Sequence, residues 1–185
     1  MRPRSVVLVS PPVVEPITLR EVREDRRLGP DQTDDDRLLL GLMATARRHI
    51  EKRLGIALVA TQYRATFSWG AGRLELPSPP VLIDEDHPIV VTAGGVAVSS
   101  TDYTVDTDSR PAVLELNVPT SEDVVVTYWA GVSPGEPIEP GLRSCLLMLV
   151  GHLYANREAT TTEGVGELPM GLEMLLASES VLGTY

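Results

Sequence analysis

Apolar residues recur at three- and four-residue spacings near both ends of the chain and at every second residue through its middle, so a β region between helices is expected. Ile17-Thr18-Leu19-Arg20-Glu21-Val22 opens the first helix. Thr18 is placed to cap it, Glu21 to reach back to Thr18, and Ile17 with Val22 to form a hydrophobic staple. Gly29-Pro30 should stop it. A second helix is expected from Thr33 to Gly55, with Asp34, Asp35 and Asp36 in its first turn and Arg47, Arg48, Lys52 and Arg53 towards its end, a charge order that complements the helix dipole. Leu39, Leu42, Met43, Ala46, Ile50 and Leu54 form its apolar stripe, which reads as a core face.

From Thr61 the period becomes two. Tyr63, Ala65, Phe67 and Trp69 alternate with Gln62, Arg64, Thr66 and Ser68, the pattern of a half-buried strand. Further short strands are expected at Arg73–Leu76, Ile89–Thr92, Val96–Val98, Tyr103–Asp106, Val113–Leu116 and Val124–Trp129, punctuated by Gly and Pro. With no crossover helices between them, they should form an antiparallel sheet or small barrel. Val126 and Tyr128 belong to its inner face. A third helix resumes after Pro137, with Pro140 in its first turn and Leu142, Leu146, Leu149 and Leu153 on its buried side.

The chain closes differently. A Thr/Gly run, Ala159 to Gly166, precedes an amphipathic segment carrying Leu168, Leu172, Leu175, Leu176 and Leu182. On such a linker these leucines lack a cover, and each is worth roughly 1.5–3 kcal/mol once buried. The segment is therefore expected to be an arm that docks on a partner, and removing everything after Glu158 should leave the rest folded.

Composition narrows the function. The 185 residues are 43% hydrophobic and 23% charged, enough for one core with an inserted subdomain. The net charge of −10 and pI near 4.7 argue against tight nucleic-acid binding, which rests on neutralising Lys and Arg. No apolar run reaches the roughly 18 residues a membrane span needs, and the N-terminal stretch lacks a signal-peptide cleavage pattern, so a cytoplasmic product is expected. The single cysteine, Cys145, sits in the apolar run CLLMLV and reads as a buried structural thiol.

Candidate chemistry is sparse. Asp84-Glu85-Asp86-His87 has the residue types for a metal or an acid-base group, but adjacent strand residues face opposite ways and Pro88 follows, so a solvated turn is the better reading. His49 and His152 lie on separate helices without clustered ligands. Gly94-Gly95 has no phosphate-loop continuation and reads as a hairpin turn. No Gly-x-Ser-x-Gly elbow occurs. No catalytic residue, metal or cofactor is expected.

Several phrases together resemble the head-tail connector proteins (adaptor or head-completion proteins) of long-tailed bacteriophages and of phage-derived gene transfer agents. They begin with Leu8-Val9-Ser10-Pro11-Pro12, Glu15-Pro16-Ile17-Thr18-Leu19, Asp34-Asp35-Asp36 through Ala46-Arg47 to Ile50-Glu51, and Gly55-Ile56-Ala57-Leu58. They continue with Leu74-Glu75-Leu76-Pro77, Pro79-Pro80, Asp102-Tyr103-Thr104-Val105-Asp106, Val126-Thr127-Tyr128, Ala130-Gly131, His152 with Tyr154, Asn156-Arg157-Glu158, and Glu167-Leu168-Pro169 with Gly171 and Leu175-Leu176. The resemblance spans nearly the whole chain in order. Leu153, where relatives often carry a large aromatic, and the Thr160-Thr161-Thr162 run depart from the pattern.

The resemblance implies an α+β fold: a small helical bundle with an inserted antiparallel β subdomain and a C-terminal docking arm. The expected organisation is an extended segment over 1–16, two bundle helices over 17–56, the β subdomain over 57–131, a third bundle helix over 137–158, and linker plus arm over 159–185. Such proteins form rings, typically dodecamers, between the portal protein and the stopper or tail-completion protein at the virion neck. They extend the channel through which DNA passes without sequence-specific binding. The arm would dock on the portal through Leu168, Pro169, Leu172, Met174, Leu175, Leu176, Val181 and Leu182. A stopper or tail-completion subunit is the alternative, and a small hydrolase or sugar-binding module a more distant one.

Overall fold

The computed structural model describes residues 1–29, 31–68, 72–156 and 170–182, the last three by their backbone alone. Expectations for Trp69, Leu168, Pro169, the run 159–166 and the side chains of Val181 and Leu182 lie outside the described residues. The chain is α+β and divides into two compact units.

The helical unit joins Glu15–Leu54 with Pro137–Thr184. Helix α1 (Leu19–Asp25) begins at a complete capping box, in which the Thr18 hydroxyl accepts from the Glu21 amide and the Glu21 carboxylate accepts from the Thr18 amide. Ile17 and Val22 are both buried. The helix stops earlier than Gly29 because the Arg26 amide closes onto Val22 and Glu24, and Arg27, at φ 58°, turns the chain.

Helix α2 (Asp36–Leu54) starts three residues later than the charge pattern suggests. Asp34 and Asp35 precede it, and the Asp35 carbonyl accepts from the Leu39 amide. The aspartates are drawn into tertiary contacts: Tyr154 donates to the Asp35 carboxylate at 2.5 Å, and Asp36 pairs with Arg23 at 3.6 Å. Leu39, Met43, Ala46 and Ile50 are buried along one stripe. Helix α3 (Pro140–Ala155) has Pro at its first position, where the missing N–H is no loss. It buries Leu142, Cys145, Leu146, Leu149 and Val150, while Leu153 is half-buried.

Helix α4 (Met170–Leu182) corrects the expectation of an uncovered arm. It packs against α3 and α2 of its own chain, leaving Leu172 0% and Leu176 2% exposed. The same leucine spacing that suits a partner's groove suits two helices already at hand, and intrachain burial costs no association entropy.

The β unit joins Met1–Val14 with Gly55–Glu136. Its larger sheet contains β1 (Ser5–Ser10), β2 (Thr61–Phe67), β9 (Val124–Ala130), β5 (Val90–Ala93) and β6 (Val96–Ala97) in that spatial order, all antiparallel, with β4 (Val81–Leu82) also on β9. The second sheet is β3 (Arg73–Leu76), β8 (Ala112–Leu116) and β7 (Tyr103–Asp106). These are two open sheets, not a closed barrel. The N-terminal segment is also more than an extended lead: β1 pairs with β2, and the Met1 carbonyl accepts from the Glu75 amide on β3, so one segment touches both sheets.

Alternation places Ala65 and Phe67 with Val124, Val126 and Tyr128 in one buried cluster with Leu74, Leu76, Val91 and Leu114. Tyr128 stacks on Tyr63 with ring centres 6.0 Å apart and donates its hydroxyl to the Pro77 carbonyl at 2.8 Å.

Candidate interaction surfaces

The acidic turn is self-contained. The Asp84 carboxylate accepts from the amides of Asp86 and His87 and meets His87 Nδ1 at 2.7 Å. Partial desolvation would raise the Asp84 pKa, but the His87 hydrogen bond and the two amides together hold it below the usual carboxylate range. The His87 ring sets its edge against Trp129, with centres 4.9 Å apart. This is a braced loop whose remaining carboxylates, Glu85 and Asp86, face water.

Asp106 is used in the same way. Its carboxylate accepts from the Ser109 hydroxyl at 2.6 Å and from the amides of Asp108 and Ser109, which lower its pKa, the hydroxyl most. The hydroxyl and the two amides all converge on this one carboxylate, so the group braces its own turn. His49 is exposed on α2, and His152 lies half-buried on α3 beside Asn156. Among the described residues no three His, Cys, Asp or Glu side chains gather as metal ligands. Cys145 is fully buried, and burial, with the Glu179 charge adding to it, pushes its thiol pKa up. Among the described residues no helix is long and apolar enough to cross a membrane.

What the surface does offer is apolar. Val6, Val7, Leu8 and Val9 are exposed along β1, from 39% at Val9 to 54% at Val7. Because successive strand residues face opposite sides, both faces of this edge strand are open. Val96 on β6, the opposite edge of the sheet, is also exposed. On α4 the outward residues are Met170 and Met174, with Leu175 half-buried between the covered leucines. The expected docking residues are thus divided: Leu172 and Leu176 face inward, and Met174 faces out.

The β1 edge was the surface least visible in the sequence. Its signal is the unbroken apolar run Val6-Val7-Leu8-Val9, which has no alternation to mark it as a strand. Buried Arg47 was equally hidden among the basic residues of α2.

Comparison with known proteins gives one consistent result. No protein-family model and no curated protein matches the chain. Among solved structures it is similar to a chain in the neck of an empty gene transfer agent particle computed with C6 symmetry, at 21% identity over 94% of both chains and a TM-score of 0.74. A chain in the virion of a native gene transfer agent particle matches at 21% identity, over 94% of this chain and 93% of that one, also with a TM-score of 0.74. A chain in the neck of a native particle computed with C12 symmetry matches at 21% identity over 93% of both, with a TM-score of 0.65. Across almost its full described length, this chain therefore has the fold of a protein found in gene transfer agent particles and their necks.

Proposed function

We propose that the chain is a structural subunit of a phage-like neck, an adaptor that assembles as a ring between the portal protein and the stopper or tail. The observation that carries this reading is the fold likeness over 94% of both chains to a gene transfer agent neck protein. The ordered phrases that resemble head-tail connector proteins support it independently. A dodecamer agrees with both the sixfold and the twelvefold symmetry of the similar necks. The role proposed is one of assembly, and Asp84 and His87 of the acidic run brace their own turn. An acidic chain also suits a channel that DNA must traverse without sticking.

Portal docking falls to the C-terminal helix and the residues before it. In the subunit described, α4 offers Met170, Met174 and Leu175, and Leu172 or Leu176 would join a partner interface only if α4 left α2 and α3. The test is negative-stain imaging of purified protein mixed with portal-bearing heads. Rings seated on the portal are expected. Binding only to heads that already carry an adaptor would instead assign the stopper position.

A further inference from the structure

An edge strand with four consecutive exposed apolar residues is a template for another strand, and proteins normally blunt such an edge with charge or proline. Here β1 keeps Val6, Val7, Leu8 and Val9 open, and among the described residues no strand lies beyond it. The far edge of the same sheet, β6, carries exposed Val96 and Ala97. Four antiparallel pairings separate β1 from β6, so the two edge strands run in the same direction. They come level where β1 begins and β6 ends, and Val6 to Val9 run on past β6. Ser5 stands opposite Thr66, Thr66 opposite Val125, Val125 opposite Thr92, and Thr92 opposite Ala97.

A ring needs two different surfaces on each subunit, brought together by a rotation that nearly preserves direction from one copy to its neighbour. Two edges of one sheet that run in parallel and meet at the level of Ser5 and Ala97 satisfy that requirement. Charge agrees with it. Arg2 leads into β1 with its side chain 91% exposed, although it lies 3.6 Å from Glu75, while Arg4 is paired with Asp123 of its own chain at 2.9 Å. The exposed Glu122 side chain packs against Gly94, just before β6 and at the same end of the sheet.

We infer that the sheet continues from copy to copy, the outer edge of β1 on one subunit pairing in parallel with the β6 edge of the next. The inference rests on the ring reading above and names the contact that makes the ring. Each contact is short, but every subunit takes part in two, and closure makes them mutually supporting.

Cysteine cross-linking of the full chain tests it, with Cys145 retained because it is buried. Ser5→Cys combined with Ala97→Cys should give, on mild oxidation, a ladder of covalent oligomers, while either substitution alone gives none. Val7→Glu and Val96→Glu, both at exposed sites, should each raise the concentration needed for ring formation by about tenfold or more without changing the melting temperature. A covalent dimer from Ser5→Cys alone would mean two β1 edges meet each other and would overturn the head-to-tail pairing. Rings of full strength in both Glu variants, with no ladder from the double-cysteine protein, would overturn it and leave the ring reading standing. A chain that forms no ring on portal-bearing heads and no ladder in their presence would remove both.

Discussion

Arg47 and Glu15 are joined by a 2.8 Å hydrogen bond from Nε to Oε2, which fastens the residue leading into the helical unit to the middle of α2. Nη1 of the same guanidinium donates to Glu51 at 2.7 Å. Burial opposes the charge on Arg47, but the two carboxylates more than offset it and hold its pKa above the ordinary value. Removing the arginine would leave two largely covered carboxylates without the cation they share. Arg47→Met should cost about 3 kcal/mol in chemical denaturation. Arg47→Lys should recover only part of the loss, because an ammonium cannot present the fork that reaches both partners.

The inward face of α4 makes a second case. Leu172→Ala should destabilise the helical unit by about 2–5 kcal/mol, the range for opening a cavity at a buried leucine. Met174→Ala, at an exposed site on the same helix, should stay within about 0.5 kcal/mol of the parent. Equal melting temperatures for all three proteins would return α4 to the status of an arm uncovered in its own subunit. Truncation after Glu158 is likewise expected to lower stability, contrary to what the Thr/Gly linker suggests.

How far the sequence could be read depended on the distance over which each feature is decided. The capping box at Thr18 and Glu21 is settled within four residues and was visible. The alternating strand Thr61–Phe67 was visible because one face is core throughout. The start of α2 was not, since the pull on Asp35 comes from Tyr154, 119 residues away. Strand β1 is not legible locally, because its identity comes from pairing with β2 and not from its own pattern. For Leu172 and Leu176 the spacing correctly marked an amphipathic helix, yet nothing local says whether the cover is a partner or α2 and α3. Arg47 looked like one more basic residue near a helix end, and only the fold brings Glu15 to it.

Gly131 is required for two reasons that can be separated. Its φ of 109° lies in the left-handed region, and a side-chain carbon there would collide with the backbone carbonyl of Val59. Its amide also donates to the Pro80 carbonyl at 2.8 Å, which keeps the backbone from shifting aside. Gly135 has a similar φ of 91° but open space around it. Gly135→Ala should therefore cost about 1–2 kcal/mol from backbone strain alone, and Gly131→Ala at least about 3 kcal/mol. Thermal melts of the two variants give the comparison, and equal losses would mean that the Val59 contact carries no weight.

Cys145 reports on the helical unit. Its burial and raised pKa predict very slow reaction with an aromatic disulfide reagent near neutral pH, at a rate set by opening of the fold. Leu172→Ala should speed labelling by about tenfold for every 1.4 kcal/mol of stability lost, if the opening that exposes the thiol involves α4. Fast labelling of the parent protein would show that Cys145 is accessible without such opening.

Tyr128 gives a pH dependence whose sign follows from its environment. Burial, and then the neighbouring Tyr63, push its phenol pKa well above the ordinary value of about 10. The folded state thus retains a proton that the unfolded chain would release. The resulting stability is fully present below pH of about 10 and falls as pH rises beyond it, because only the unfolded state then ionises. Tyr128→Phe should cost about 1 kcal/mol near neutrality, through loss of the hydrogen bond to the Pro77 carbonyl. It should also flatten the decline in stability above pH 10, so that the parent and variant curves converge as the solution becomes more alkaline. Denaturant titrations of both proteins at a series of alkaline pH values supply the measurement. A constant offset between the two curves would mean that Tyr128 ionises as readily in the folded sheet as in the open chain.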